Sequence, residues 1–221
     1  MKSLRFYLDP ISPYAALAFW RLPEVLAGRH YTVDYVPILF AAALKAHGSK
    51  GPAEFPGKRD WTYRQVLWRA RQWQLPLSLP ASHPFNPLPL LRLGWACAPA
   101  GKTPSRWVVE QLFAHAWQSD GAEAADPARL ALLAQQLAPQ RATDEETAKT
   151  RLREATDAAL AAGVFGVPTF EVDGKLIWGQ DSLDMLAALL DEDPWFDSDA
   201  WRHAAELPVG VQRPLAAGGT K

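Results

Sequence analysis

Only one cysteine, Cys97, occurs among the 221 residues. A chain with a single thiol cannot close an internal disulfide, so it cannot cycle between dithiol and disulfide on its own. Any reactive sulfur in its chemistry has to arrive with a ligand. Cys97 itself lies in Leu93-Gly94-Trp95-Ala96-Cys97-Ala98, an apolar stretch in which a small, buried, inert thiol is expected. An excess of charge is also missing: 23 basic and 24 acidic residues leave a net charge of -1, with no basic field for nucleic acid phosphates or anionic lipid. No apolar run reaches the roughly 18 residues of a membrane span. The start, Met1-Lys2-Ser3-Leu4-Arg5, leads directly into a strand pattern without a secretory apolar core, which reads as cytoplasmic. The histidines at 30, 47, 83, 115 and 203 show no metal-ligand spacing with Cys97, so no metal site is expected. A glycine-rich phosphate loop, a nucleophile-elbow serine and internal repeats are absent as well.

What is present is a hydrophobic content of 48%, enough for a sizeable core in one or two domains. Leu4-Arg5-Phe6-Tyr7-Leu8 reads as a short strand stopped by Asp9-Pro10, and Pro13 at a first helical position opens Ala15-Ala16-Leu17-Ala18-Phe19-Trp20 as a helix. Tyr31 to Ile38, rich in aromatic and β-branched residues, suits a second strand and completes a βαβ opening. From Phe40 to Leu160 the texture becomes helical, broken by Pro- and Gly-containing stretches at 51–56, 75–89 and 98–104. Its last helix, about 144–162, carries Ala148, Leu152, Ala155, Ala159 and Ala162 on one face and stops at Gly163, a favourable C′ residue. A hairpin with Asp173-Gly174 as its two-residue turn follows, then a helix from about Asp181 to Leu190. The aromatic segment Trp195 to Trp201 is expected to pack on the body, and Ala216 to Thr220 to fray. The expected organisation is residues 1–39 plus 163–205 as a sheet domain, 40–162 as a helical insertion, and 206–221 as a tail.

Three motifs occur in order: Asp9-x-x-Ser12-Pro13-Tyr14, Gly163-Val164-Phe165-Gly166-Val167-Pro168-Thr169 and Trp178-Gly179-Gln180-Asp181. With them the chain resembles the 2-hydroxychromene-2-carboxylate isomerases over roughly Ser3 to Leu190. That group is related to the kappa-class glutathione transferases and to the bacterial disulfide oxidoreductase DsbA. The resemblance implies an α/β, thioredoxin-like fold with a large all-helical insertion, glutathione as cofactor, a small aromatic carboxylate as substrate, and a homodimer. The position that carries a reactive cysteine in disulfide oxidoreductases holds Ser12.

A serine hydroxyl beside a helix N-terminus suits a ligand thiolate, because the hydroxyl donates a hydrogen bond and the helix end carries about half a positive charge. Ser12 is also a plain N-cap before Pro13, and the two roles are compatible. The resemblance further implies a cis Val167-Pro168 bond whose flanking backbone pairs with the peptide-like cofactor, with Trp178, Asp181 and Ser182 around its γ-glutamyl end. Ser182 stands where many relatives carry arginine, which removes an ionic contact. For the aromatic carboxylate, Lys58 and Arg59 align with an Asn-Arg pair of the isomerases, Lys45 is a looser match, and His83 and Asn86 lie in the Pro-rich stretch that lines the pocket. Each of these five has a local alternative: solvation for the cations, and satisfaction of nearby backbone groups for His83 and Asn86.

The implied reaction is nucleophilic catalysis by a borrowed thiol: the thiolate adds to an electrophilic carbon of the chromene, the ring opens, a bond rotates, and elimination returns glutathione. Two alternatives stay open. One is a kappa-class-like transferase or peroxidase that consumes the thiol, the other a non-catalytic glutathione- or peptide-binding module.

Overall fold

The computed structural model describes residues 2–211, so the expected fraying of Ala216 to Thr220 lies outside the described residues. Strand β1 (Lys2–Leu8) runs parallel to β2 (Tyr31–Pro37), from Lys2 opposite Tyr31 to Leu8 opposite Pro37, with α1 (Pro13–Leu26) as the crossover. Strand β3 (Thr169–Val172) returns antiparallel on the other side of β1, and β4 (Lys175–Trp178) closes the sheet in the order β2-β1-β3-β4. The Asp173-Gly174 turn has positive φ at both residues, 50° and 77°, which is the primed geometry a two-residue hairpin needs.

Alternation along β1 builds two cores. Leu4, Phe6 and Leu8 are fully buried on one face, where Phe19 of α1, Phe113 and Trp117 of α5 (Arg106–Trp117) and Leu186 of α8 (Leu183–Leu190) close over them. The Phe6 and Phe170 rings stack across β1 and β3 at 4.7 Å. Tyr7 and Val36 face the other way, against Leu91 and Trp95 of α4 (Leu88–Ala96) and Leu152 of α7 (Glu145–Ala161). Each such large apolar side chain contributes about 1.5–3 kcal/mol on burial. Helices between the second and third strands therefore complete both faces of the sheet.

The remaining helices are α2 (Phe40–Ala46), α3 (Pro56–Gln72), α6 (Pro127–Gln136) and α9 (Asp199–Ala204). Helix α7 begins with Asp144, whose carboxylate accepts from Thr147 N at 2.8 Å, and ends at Gly163 with φ +90°. The last helix of the sheet domain differs from expectation. Gln180 to Ser182 form a 3-10 turn, and regular α geometry starts only at Leu183. The aromatic segment packs as expected: Phe196 is buried in the first core and its ring meets Trp201 at 5.2 Å. Among the described residues no helix is long and apolar enough to cross a membrane.

Candidate active site

The loop from Asp9 to Ser12, between β1 and α1, has every one of its carbonyls occupied. Asp9 O accepts from Ser12 N at 3.0 Å and Ser12 O from Ala16 N at 3.1 Å. Pro10 O accepts from Trp117 Nε1 at 2.7 Å, and Ile11 O from His83 Nε2 at 2.8 Å. The Asp9 side chain is fully buried and accepts from Ile11 N at 3.0 Å and from Phe40 N at 2.9 Å. Phe40 opens α2, whose N-cap residue Leu39 provides no side-chain cap. Asp9 serves as that cap from outside, together with Thr156 of α7, whose hydroxyl accepts from Leu39 N at 3.1 Å. One carboxylate thus ties the Ser12 loop to the start of α2.

Burial pushes the Asp9 carboxyl up from 3.8 to about 7, and only the amides of Ile11 and Phe40 pull it down. Between these values the native state holds more protons than the unfolded chain. The stabilisation linked to this group is therefore complete below about pH 4 and is lost as pH rises through about 7, with a slope of at most about 1.4 kcal/mol per pH unit. Urea unfolding of the native protein and of Asp9→Asn at pH 5 and pH 8 checks this: the native protein is expected to lose stability relative to the variant on going to pH 8. An equal pH dependence in both proteins contradicts it.

Ser12 is 7% exposed and caps α1: its Oγ accepts from Ala15 N at 3.2 Å. Its hydroxyl proton points to Val167 O at 3.4 Å, long for an O–H···O bond, so the proton is loosely held and available to a better acceptor. The Val167-Pro168 peptide is cis, as the resemblance implied. Pro168 O accepts from Gly179 N at 2.9 Å, joining this loop to the end of β4. Gly179 has φ +101°, and a Cβ there would stand 2.4 Å from Asp181 Oδ1. A Cβ on Gly166 would stand 2.7 Å from Trp178 Nε1. A side chain crosses over each of these glycines, and the positive φ of Gly179 itself favours glycine. Trp178, half exposed, meets the Phe165 ring at 5.0 Å. Ser12, Val167, Pro168, Trp178, Asp181 and the adjoining Ser182 therefore form one connected set around the N-terminus of α1. Tyr14 joins them, with its hydroxyl donating to Gln65 Oε1 at 2.6 Å and its pKa raised mainly by burial, with a smaller contribution from the Asp181 charge.

The candidates for the second substrate divide. Lys45 is exposed in the last turn of α2, and Lys58 is exposed with its ammonium 4.8 Å from the Phe55 ring. Arg59 lies 5.1 Å over the Tyr63 ring and donates to His83 O. His83 uses both ring nitrogens inside the protein, since Nδ1 accepts from the Tyr63 hydroxyl at 2.7 Å while Nε2 serves Ile11 O. Burial holds its pKa below the usual value, favouring this neutral form. Asn86 Oδ1 accepts from Leu88 N at 3.1 Å and turns the chain into α4. Arg59 and His83 thus brace the Ser12 loop against α3, Asn86 shapes a turn, and Lys45 and Lys58 keep their charged ends in solvent. The sequence shows Asp9 as a strand stop and the head of a motif without giving its side chain a role, and it does not single out Trp117. A carboxylate ending an apolar strand is a weak signal for the first, and the second carries none.

A family model described as a DSBA-like thioredoxin domain matches residues 3–191. The chain is 28% identical over 200 residues to a 2-hydroxychromene-2-carboxylate isomerase of Sphingobium xenophagum, covering 86% of this chain and 98% of that protein. It is also 28% identical over 207 residues to glutathione S-transferase kappa 1 of Rattus norvegicus, covering 86% and 91%. A solved structure of a 2-hydroxychromene-2-carboxylate isomerase superposes with a TM-score of 0.69 at 23% identity, covering 94% of this chain and all of that one. The α/β architecture, the helices inserted between β2 and β3 and the Ser12 loop facing a cis proline agree with the match along the sequence, and the chain belongs to the DSBA-like thioredoxin family.

Proposed function

We propose that the protein is a glutathione-dependent isomerase acting on 2-hydroxychromene-2-carboxylate or a close aromatic relative. The observation that carries this reading is a loosely held serine hydroxyl at the N-terminus of α1, beside the Val167 backbone, in a chain with no thiol to offer there. Cys97, 4% exposed, has its Sγ 3.9 Å from Leu137 O and its pKa raised by burial, so it is shielded from ligand chemistry. The site residues fit a thiol peptide: a donor and a helix dipole for the sulfur, backbone for the peptide, and Asp181 with Ser182 for the charged γ-glutamyl end. Glutathione bound there supplies a thiolate that adds reversibly to an electrophilic carbon and leaves unchanged. Ser12 holds the sulfur in its anionic form, and the exposed Trp178-Phe165 pair offers an apolar wall to an aromatic ring. Lys45 and Lys58 are the cations proposed to draw in the substrate carboxylate, together with the N–H groups of Arg59 that do not serve His83 O. A single buried thiol suits a reducing compartment such as the cytoplasm, and the likeness to the isomerases supports a homodimer.

A thiol-consuming transferase is the second reading, favoured by the similarity to the rat kappa enzyme. Incubation with glutathione and 2-hydroxychromene-2-carboxylate separates the readings. Many turnovers to the ring-opened benzylidenepyruvate with total free thiol constant identify the isomerase. Loss of one thiol per product identifies the transferase, and saturable glutathione binding without turnover identifies a binding module.

A further inference from the structure

Two tryptophans stand on the outer pole of α3. The inward row of this helix is Thr62, Val66 and Ala70, the last two packed on Leu17 of α1. On the opposite side Trp61, Arg64, Trp68 and Arg71 recur at helical spacing and all four are exposed, Trp61 at 63% and Trp68 at 51%. Large aromatic side chains gathered on a surface mark a contact with another molecule. The helix is also basic, with Lys58, Arg59, Arg64, Arg69 and Arg71 against one acid, Asp60. A partner for this pole therefore has to offer both apolar surface and negative charge.

The chain itself carries such a segment. Residues 191–199 contain Asp191, Glu192, Asp193, Asp197 and Asp199 and no base, and Trp195 among them is 45% exposed. Asp197 pairs with Lys175 at 3.0 Å and Asp199 with Arg202, yet both carboxylates stay largely exposed. The basic helix and the acidic segment flank one cavity of about 430 Å³. Arg69 and Trp73 line it from the end of α3 and Asp184 from α8, while Arg29, which also lines it, donates from Nε to Asp191 Oδ1 at 2.7 Å. The two surfaces therefore share a face of the molecule. A two-fold axis along that cavity carries α3 of each copy over the acidic segment of the other and closes the pair with two identical contacts. Packing α3 on its own copy is the poorer arrangement, because Arg64 and Arg71 then meet like charges.

We propose that two copies of this chain associate through this face, with Trp61 and Trp68 of each set on residues 191–199 of the partner subunit and Arg64 and Arg71 meeting the carboxylates there. The assignment rests on the homodimer reading above and gives that dimer its surface. Its test is sedimentation equilibrium over a range of protein concentrations, with far-ultraviolet circular dichroism as the check that each variant is folded. The native protein is expected to be a dimer. Trp61→Ser with Trp68→Ser, and separately Arg64→Glu with Arg71→Glu, are each expected to raise the dimer dissociation constant by at least roughly tenfold with the native spectrum, since all four side chains are exposed in the single chain. Asp197→Arg with Asp199→Arg is expected to weaken the dimer likewise. Joined in one chain to Arg64→Glu and Arg71→Glu, it restores association, because opposite charges face each other again. A native dimer that none of these changes weakens overturns the surface and leaves the homodimer standing. Weakening by the α3 changes without rescue by the charge exchange overturns the pairing with residues 191–199. A native protein that stays monomeric at every concentration overturns the homodimer reading and this assignment with it.

Discussion

Ser12→Ala is expected to lower glutathione-dependent turnover by about ten- to a hundredfold, the equivalent of the about 1.5–3 kcal/mol that a hydrogen bond to a charged group contributes. The pKa of the bound thiol is expected to rise with it, read as a shift of the ultraviolet thiolate absorbance to higher pH. Because Ser12 also caps α1 through Ala15 N, the alanine variant loses about 1 kcal/mol of stability in the same step. Ser12→Gly separates the two roles, since glycine at an N-cap costs only a few tenths of a kcal/mol while removing the hydroxyl as completely as alanine does. The expected pattern is a near-native urea midpoint for Ser12→Gly together with the same loss of turnover and the same thiol shift as Ser12→Ala. Full turnover in both variants would reduce Ser12 to a cap and leave the thiolate without a protein donor.

Replacement of Trp117 is expected to have the largest effect on the fold. Its side chain is fully buried, its ring lies 5.4 Å from His83 and 6.4 Å from Phe85, and its Nε1 donates to Pro10 O at 2.7 Å. Trp117→Ala removes a large core side chain, about 3–5 kcal/mol, and strands a buried carbonyl, about 1–3 kcal/mol more. The sum rivals the whole stability of a typical domain, about 5–15 kcal/mol, so this variant is expected to be largely unfolded or insoluble at 37 °C. Trp117→Phe is the informative partner. It keeps most of the ring volume and loses the donor, so it should fold with a loss of about 1–3 kcal/mol while Pro10, two residues before Ser12, is released. A fall in kcat at unchanged urea cooperativity is the expected signature. Native kcat and KM in a folded Trp117→Phe would show that α5 supports the core without positioning the Ser12 loop.

The agreement between sequence and structure is highest where the governing contacts are local. The alternation of Leu4, Phe6 and Leu8, the Asp173-Gly174 hairpin and the Asp144-capped, Gly163-terminated α7 are each set by neighbours within a few residues. Ser12 before Pro13 is legible for the same reason, since its cap bond reaches only three residues ahead. The start of α8 was displaced by two residues because a 3-10 turn satisfies the backbone there with no side-chain signature.

What surrounds Ser12 was decided only in three dimensions. Asp9 finds Phe40 across 31 residues, His83 finds Ile11 across 72, and Trp117 finds Pro10 across 107. Nothing in a residue's own neighbourhood tells a histidine in a Pro-rich loop whether its nitrogens will meet a ligand or a carbonyl. His83 and Arg59, read as candidates for the substrate, have partners inside the protein because the loop's carbonyls are buried with them and need donors. The sequence by itself determined the strand and helix pattern, the thioredoxin-like ends and the serine where sulfur has to be brought in. The tertiary structure decided which polar groups brace that serine and which buried polar atoms, such as Gln180 Oε1, meet no protein partner. Local periodicity selects elements, whereas the pairing of buried polar atoms depends on which distant segments are desolvated together.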